Sequence, residues 1–177
     1  VLSCLLDNHG CEVKAVAALR DGGVVTGGAD NLLRVFPVDG LGAGAHPRVF
    51  AGHTSKSGVS GINALLVAHD GALLSGGKDG TIITWDMATG EPEVVLKGHG
   101  DSRGLTATNS QVVSCLADAG EGRLVSGGWD ATARIWQRGG GGAGGGTSSP
   151  HAVLSGHTAA VLAVAVAEGL IVITGGG

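Results

Sequence analysis

One line of sequence returns four times along this chain. It reads VVTGGADNLLRVF from Val24, LLSGGKDGTIITWD from Leu73, LVSGGWDATARIW from Leu124 and VITGGG from Val172. In the three longer copies a hydroxyl residue is followed four positions later by Asp and ten positions later by an aromatic. The sets are Thr26, Asp30 and Phe36; Ser75, Asp79 and Trp85; Ser126, Asp130 and Trp136. The fourth copy keeps Thr174. Such a period confines the chain to a repeat architecture, in which each unit buries its apolar faces against its neighbours.

A histidine stands upstream of each copy, as His9, His53, His99 and His157, and the last three follow a glycine. From His9 to Thr26 and from His157 to Thr174 the interval is 17 residues, whereas the middle copies stretch it to 22 and 27. The excess lies in polar or small-residue stretches, roughly 56–60 and 102–110, which read as loop insertions. Glycine, at 35 residues, has two origins. The pairs Gly27-Gly28, Gly76-Gly77, Gly127-Gly128 and Gly175-Gly176 belong to the repeat, while GGGGAGGGTSSP at 139–150 has no apolar group to bury and reads as a flexible surface loop.

Short apolar runs fill the frame. The first copy offers strands over 13–18, 24–26, 32–36 and 48–50, and the second over 62–67, 73–75, 81–85 and 93–96. A helical reading needs longer runs of period 3.6, and a glycine pair in every copy would break them. Four strands per unit of about 50 residues describe a propeller blade with long loops. The expected fold class is therefore all-β, a propeller of which residues 1–177 form part. Its blades fall at about 7–51, 52–97 and 98–155, with an incomplete blade at 156–177 and a possible closing strand at 1–6.

Histidine, hydroxyl, aspartate and aromatic recur together for a chemical reason. An Asp at the tight turn accepts backbone N–H groups and the His, the His reaches the hydroxyl, and the hydroxyl reaches the indole N–H. Each group supplies a partner to the next, because a buried donor or acceptor left alone costs ~1–3 kcal/mol. The expected relay comprises His9, Thr26 and Asp30; His53, Ser75, Asp79 and Trp85; His99, Ser126, Asp130 and Trp136; and His157 with Thr174. Phe36 has no N–H to give, so the first blade is expected to be the least rigid complete one.

Other chemistries fit poorly. Eleven Lys and Arg against 15 Asp and Glu provide no basic face for nucleic acid. Cys4, Cys11 and Cys115 are odd in number and lack CxxC spacing, which disfavours a disulfide framework or a structural zinc and suits a reducing cytoplasmic or nuclear compartment. The apolar stretch 159–173 is broken by Glu168-Gly169 and falls short of the ~20 residues that a membrane helix needs. His46, His69 and His151 lie in expected loops without metal-site spacing. No G-x-S-x-G elbow is present, and a Ser, His and Asp repeated in every blade suits a lock rather than several active sites. The reading is non-catalytic, without cofactor or metal.

The pattern GH…(S/T)GGxD…W(D) resembles that of the WD-repeat (WD40) family, whose members fold as closed propellers, most often of seven blades. The chain would then supply about three and a half four-stranded blades. VLSCLLDNHGCEVKAV, VVSCLADAGEGRLVSGGWDATARIW and LSGHTAAVLAVAVAEGLIVITGG are similar to the phospholipase A-2-activating protein family. That resemblance implies a ubiquitin-binding adaptor in ubiquitin-dependent protein catabolism. It also implies an AAA ATPase segregase as partner, through domains other than this propeller. The alternative is a generic WD-repeat scaffold for another protein, either a degradation substrate or a signalling subunit.

Partner contact is expected on the end face where the Asp turns meet. Strand alternation turns Glu12 and Lys14, which flank Val13, away from the core, with Asn63, Gln111 and Leu162 as counterparts. Ala29, Lys78 and Trp129, each just before a turn Asp, join them. Trp129 is the expected anchor, because a large apolar group beside a tight turn gains little from a core.

Overall fold

A computed structural model describes residues 9–40, 46–54, 60–100, 111–138, 149–167 and 171–176. The insertions near 56–60 and 102–110, the glycine run 139–148 and the segment 1–6 lie wholly or almost wholly outside these residues.

The described chain is antiparallel β-sheet with one 3-10 turn at Val38–Gly40. Blade 1 holds β1 (Val13–Ala18), β2 (Val24–Gly28), β3 (Leu32–Phe36) and β4 (Arg48–Ala51), hydrogen-bonded in that order. Blade 2 repeats the meander with β5 (Ile62–Val67), β6 (Leu73–Gly77), β7 (Thr81–Trp85) and β8 (Pro92–Lys97). Blade 3 is β9 (Val113–Gly120), β10 (Arg123–Gly128), β11 (Thr132–Gln137) and β12 (Ala152–Ser155). A two-stranded fourth unit follows, β13 (Val161–Ala167) paired with β14 (Ile171–Gly176). The all-β propeller architecture expected from the repeat is the architecture found.

Register repeats with the sequence. Val13 pairs with Gly28, Ile62 with Gly77, Val113 with Gly128 and Val161 with Gly176. A bulge after each of these first-strand residues bends the strand.

The core lies between blades. Val25, Leu33 and Phe50 of blade 1 pack with Ile62, Leu73, Ile83 and Trp85 of blade 2. Leu74, Ile82 and Leu96 of blade 2 pack with Val113, Leu124 and Trp136 of blade 3. Glycine allows this approach: a Cβ built at Gly27 would stand 2.8 Å from Ile62 Cγ2, and one at Gly76 would stand 2.6 Å from Val113 Cγ1. The first glycine of each pair thus lets one sheet lie directly on the next, and the second leaves room for the histidine and aspartate of its own blade: a Cβ at Gly77 would stand 2.6 Å from Asp79 Oδ1 and one at Gly128 2.9 Å from Asp130 Oδ1.

Polar clasps tie neighbouring blades. Arg48 donates to Met87 O at 2.6 Å and Ala88 O at 2.8 Å, joining β4 to the β7–β8 loop. Arg138 holds Asp70 with two bonds, at 2.9 and 3.3 Å, joining the end of β11 to the β5–β6 turn.

Candidate functional site

Each complete blade closes around a buried polar chain. In blade 2, Trp85 Nε1 donates to Ser75 Oγ at 2.8 Å, and Ser75 Oγ lies 2.7 Å from His53 Nε2. His53 Nδ1 faces both oxygens of Asp79 at 3.1 Å. Direction follows from valence: indole N–H to hydroxyl, hydroxyl to bare Nε2, and Nδ1–H to carboxylate. Asp79 also accepts Thr54 N–H at 2.9 Å, Thr81 N–H at 3.0 Å and the Thr81 hydroxyl at 2.8 Å. Burial opposes ionisation of Asp79, but the hydrogen bonds from His53, Thr54 and Thr81 outweigh it and hold the carboxyl at about 2.

Blade 3 copies this with Trp136, Ser126, His99 and Asp130 at 2.8, 2.7 and 3.1 Å. Thr132 O–H and Gly100 N–H also bond Asp130, at 2.7 and 3.0 Å, and Arg134 adds an ion pair at 3.0 Å. The Asp130 carboxyl is driven far down against its burial by His99, Thr132 and Gly100.

Blade 1 is wired differently. His9 Nε2 lies 2.7 Å from Thr26 Oγ1, but Nδ1 lies 2.5 Å from Arg34 Nη1 and 3.4 Å from Asp30 Oδ1. A guanidinium only donates, so Nδ1 accepts here and Nε2–H donates to Thr26, the reverse of the other blades. Phe36 makes this workable, since Thr26 receives no indole N–H and its oxygen is free to accept. Arg34 also pairs with Asp30 at 2.7 Å. Burial, with the charge of Arg34 next, holds His9 below its ordinary value, while Asp30 pulls the other way. In the fourth unit His157 Nε2 lies 2.6 Å from Thr174 Oγ1.

The donor atoms of His9, Cys11 and Asp30 lie within 4.8 Å of one another. The guanidinium of Arg34 already provides the cation on two of them. Ser75 and Ser126 are 0% exposed, so their hydroxyls are spent on internal bonds rather than presented to a substrate.

Above this lock lies the turn face. Ala29 N–H donates to Glu12 O, Lys78 N–H to Gly61 O and Trp129 N–H to Val112 O, each within 2.8–2.9 Å. The residue before every turn Asp is thus pinned to the start of its own first strand. Adjacent blades meet here too: a Cβ at Gly61 would touch the Lys14 side chain at 3.2 Å and Ala29 Cα at 3.3 Å, and Gly61 N–H donates to Asn31 Oδ1 at 2.6 Å. Lys14 donates to Glu12 at 2.7 Å, lowering the Glu12 carboxyl; Lys78 adds a smaller pull in the same direction.

Trp129 is 42% exposed and Leu162 56% exposed, while Asn63, Lys78 and Gln111 are half-buried. By register Ser114, not Gln111, corresponds to Lys14, Asn63 and Leu162. Val112 and Val113 adjoin in sequence, and only the pairing partner Gly128 shows which of them matches Val13. Ser114 Oγ donates to Gly127 O at 2.9 Å and also bonds Val161 O, stitching blade 3 to the fourth unit. Gln111 lies beside Gly80 and Gly100 instead.

The model of the family "WD domain, G-beta repeat" matches residues 44–86 and 90–137, just over half of the chain. The chain belongs to the WD-repeat family. Among WD-repeat relatives, the THO complex subunit 6 homolog of Danio rerio is 39% identical over 77 residues, covering 42% of this chain and 21% of that protein. The phospholipase A-2-activating protein of Xenopus laevis is 31% identical over 94 residues, covering 53% of this chain and 9% of that protein. The chain thus spans about a fifth or less of the length of these relatives. A chain in the crystal structure of the mitotic checkpoint complex superposes with a TM-score of 0.72 at 25% identity, over 96% of this chain and 46% of that one.

Proposed function

We propose that this chain is a non-catalytic interaction scaffold whose turn face binds ubiquitin, in an adaptor for ubiquitin-dependent protein turnover in the cytoplasm or nucleus. The observation that carries the reading is Trp129. It is a large aromatic, 42% exposed, on a turn whose neighbouring Asp130 is fixed by His99, Thr132, Arg134 and the Gly100 amide. A rigid aromatic on an end face loses little entropy on docking, which is the property of an interface anchor. Glu12, Lys14, Asn63, Lys78 and Leu162 supply the mixed rim around it. The likeness to the phospholipase A-2-activating protein points to ubiquitin as the occupant. The segregase contact, in the same reading, is made by other domains of such an adaptor.

The test is titration of isotope-labelled ubiquitin with the chain and with Trp129→Ala. Binding by the parent and a loss of about tenfold or more in the variant, with an unchanged melting curve, is the expected result. Equal affinities remove Trp129 from the site. Absence of binding by the parent overturns the ubiquitin reading and leaves a scaffold for another protein.

A further inference from the structure

Blade 1 departs from the repeat at three places, and the three meet at one spot. Phe36 stands where Trp85 and Trp136 stand in the next blades, so the His9 tautomer is reversed and Nδ1 presents a lone pair. Leu32 stands where Thr81 and Thr132 give a hydroxyl to their aspartates at 2.8 and 2.7 Å, so Asp30 Oδ1 lacks that donor. Cys11 stands two residues after its histidine, where the other copies have Ser55, Asp101 and Ala159.

These departures gather a nitrogen, an oxygen and a sulfur donor. His9 Nδ1 and Asp30 Oδ1 face each other at 3.4 Å, and the ligand atoms of His9, Asp30 and Cys11 lie within 4.8 Å of one another. Histidine lone pair and carboxylate repel unless a cation bridges them, and Arg34 Nη1 does so, at 2.5 Å from His9 Nδ1 and 2.7 Å from Asp30 Oδ2. That arrangement makes no use of the thiol, which faces Glu12 O at 3.9 Å. Tetrahedral zinc, with bonds of about 2.0–2.3 Å, sets its ligand atoms roughly 3.5 Å apart. The histidine and carboxylate already stand at this separation. Any remaining approach falls to Cys11, which is exposed and whose side chain turns about a single bond. His9 Nε2–H is held by Thr26 Oγ1 at 2.7 Å, the kind of outer bond that orients a metal-bound imidazole.

We propose that His9 Nδ1, Cys11 Sγ and the Asp30 carboxylate bind one divalent cation of the zinc class, with water as the fourth ligand. A mixed set of imidazole, thiolate and carboxylate suits zinc over magnesium or calcium, which take oxygen ligands. Binding exchanges one cation for another. The metal takes the place of Arg34 on His9, the Cys11 thiol loses its proton to solvent, and Arg34 keeps the second oxygen of Asp30. Arg134 holds Asp130 Oδ2 from the same position in blade 3, at 3.0 Å. The metal ties the segment before β1 to the β2–β3 turn, and so gives blade 1 the closure that tryptophan and threonine give blades 2 and 3. Motif spacing does not reveal such a site, because its ligands come from two separate segments that only the folded blade brings together.

Titration of the untagged, metal-free 177-residue chain with Zn2+ in a calorimeter is expected to show one site, release of a proton on binding and a raised melting temperature. Cobalt in its place is expected to give a thiolate-to-metal charge-transfer band. Cys11→Ser, at an exposed position, is expected to keep the fold, to bind at least about tenfold more weakly and to lose the band. Cys4→Ser and Cys115→Ser are expected to change neither. Arg34→Gln removes the competing cation and is expected to bind more tightly, the opposite of what loss of a merely structural residue would do. A parent without a one-to-one site overturns the proposal, as does a Cys11→Ser variant with the parent's affinity and band, or a band that follows Cys4 or Cys115. Weaker binding by a folded Arg34→Gln variant overturns it too.

Discussion

Trp85 Nε1 donates to Ser75 Oγ at 2.8 Å across the paired strands β6 and β7, and this bond sets the direction of the whole polar chain in blade 2. With its oxygen occupied by the indole, Ser75 turns its hydrogen to His53 Nε2, and the proton of His53 is left on Nδ1 for Asp79. Thr26 has no such donor, because Phe36 stands in place of the tryptophan, and its histidine is reversed.

Trp85→Phe should therefore cost stability beyond the small loss of ring volume. The N–H removed is buried and bonded, so the chain is expected to lose ~1–3 kcal/mol, read as a lower melting temperature in calorimetry. The Trp136→Phe variant should behave alike.

Acid should unfold the chain in two steps. His9 has a folded value below its ordinary 6.5, so its contribution is present above 6.5 and is lost as pH falls through the lower folded value. Asp79 has a folded value of about 2 against an ordinary 3.8, so its contribution is present above 3.8 and is lost as pH falls toward 2. Both slopes run the same way, with stability rising with pH. Amide exchange followed by NMR should show blade 1 loosening first, and Asp79→Asn should flatten the lower step of a melting-temperature profile.

Ala131 adopts φ 61° at the turn where Asn31 and Gly80 adopt 66° and 81°. A Cβ in the left-handed region costs roughly 1–2 kcal/mol, which exceeds the ~0.5–1 kcal/mol that extra freedom in the unfolded chain takes back. Ala131→Gly is thus expected to raise the denaturation midpoint slightly in urea.

Gly76→Ala should do the opposite. The added methyl would stand 2.6 Å from Val113 Cγ1 in the seam between blades 2 and 3, and overpacking of this kind costs ~1–3 kcal/mol. The same change at Gly175 should leave the melt where it was.

Strand positions, the meander within each blade and the inter-blade hydrophobic seams were legible from the sequence, because they follow from periods of two residues within strands and of one blade between repeats. Strands at 24–26 and 73–75 could be placed from their apolar runs, and pairing carries both on through the glycine pairs to Gly28 and Gly77. The spacing from hydroxyl to Asp to Trp is equally local, since two paired strands and one tight turn fix it. Tertiary structure decided what local pattern does not carry. Arg34 displaces the usual partner of His9 because a guanidinium from β3 reaches it across the sheet. Ser114 rather than Gln111 takes the face position, because pairing with Gly128 selects between adjacent valines. Val13 is bare where Ile62 is buried, although the strand pattern treats them alike, for burial depends on whether another sheet lies against the residue and not on the residue itself.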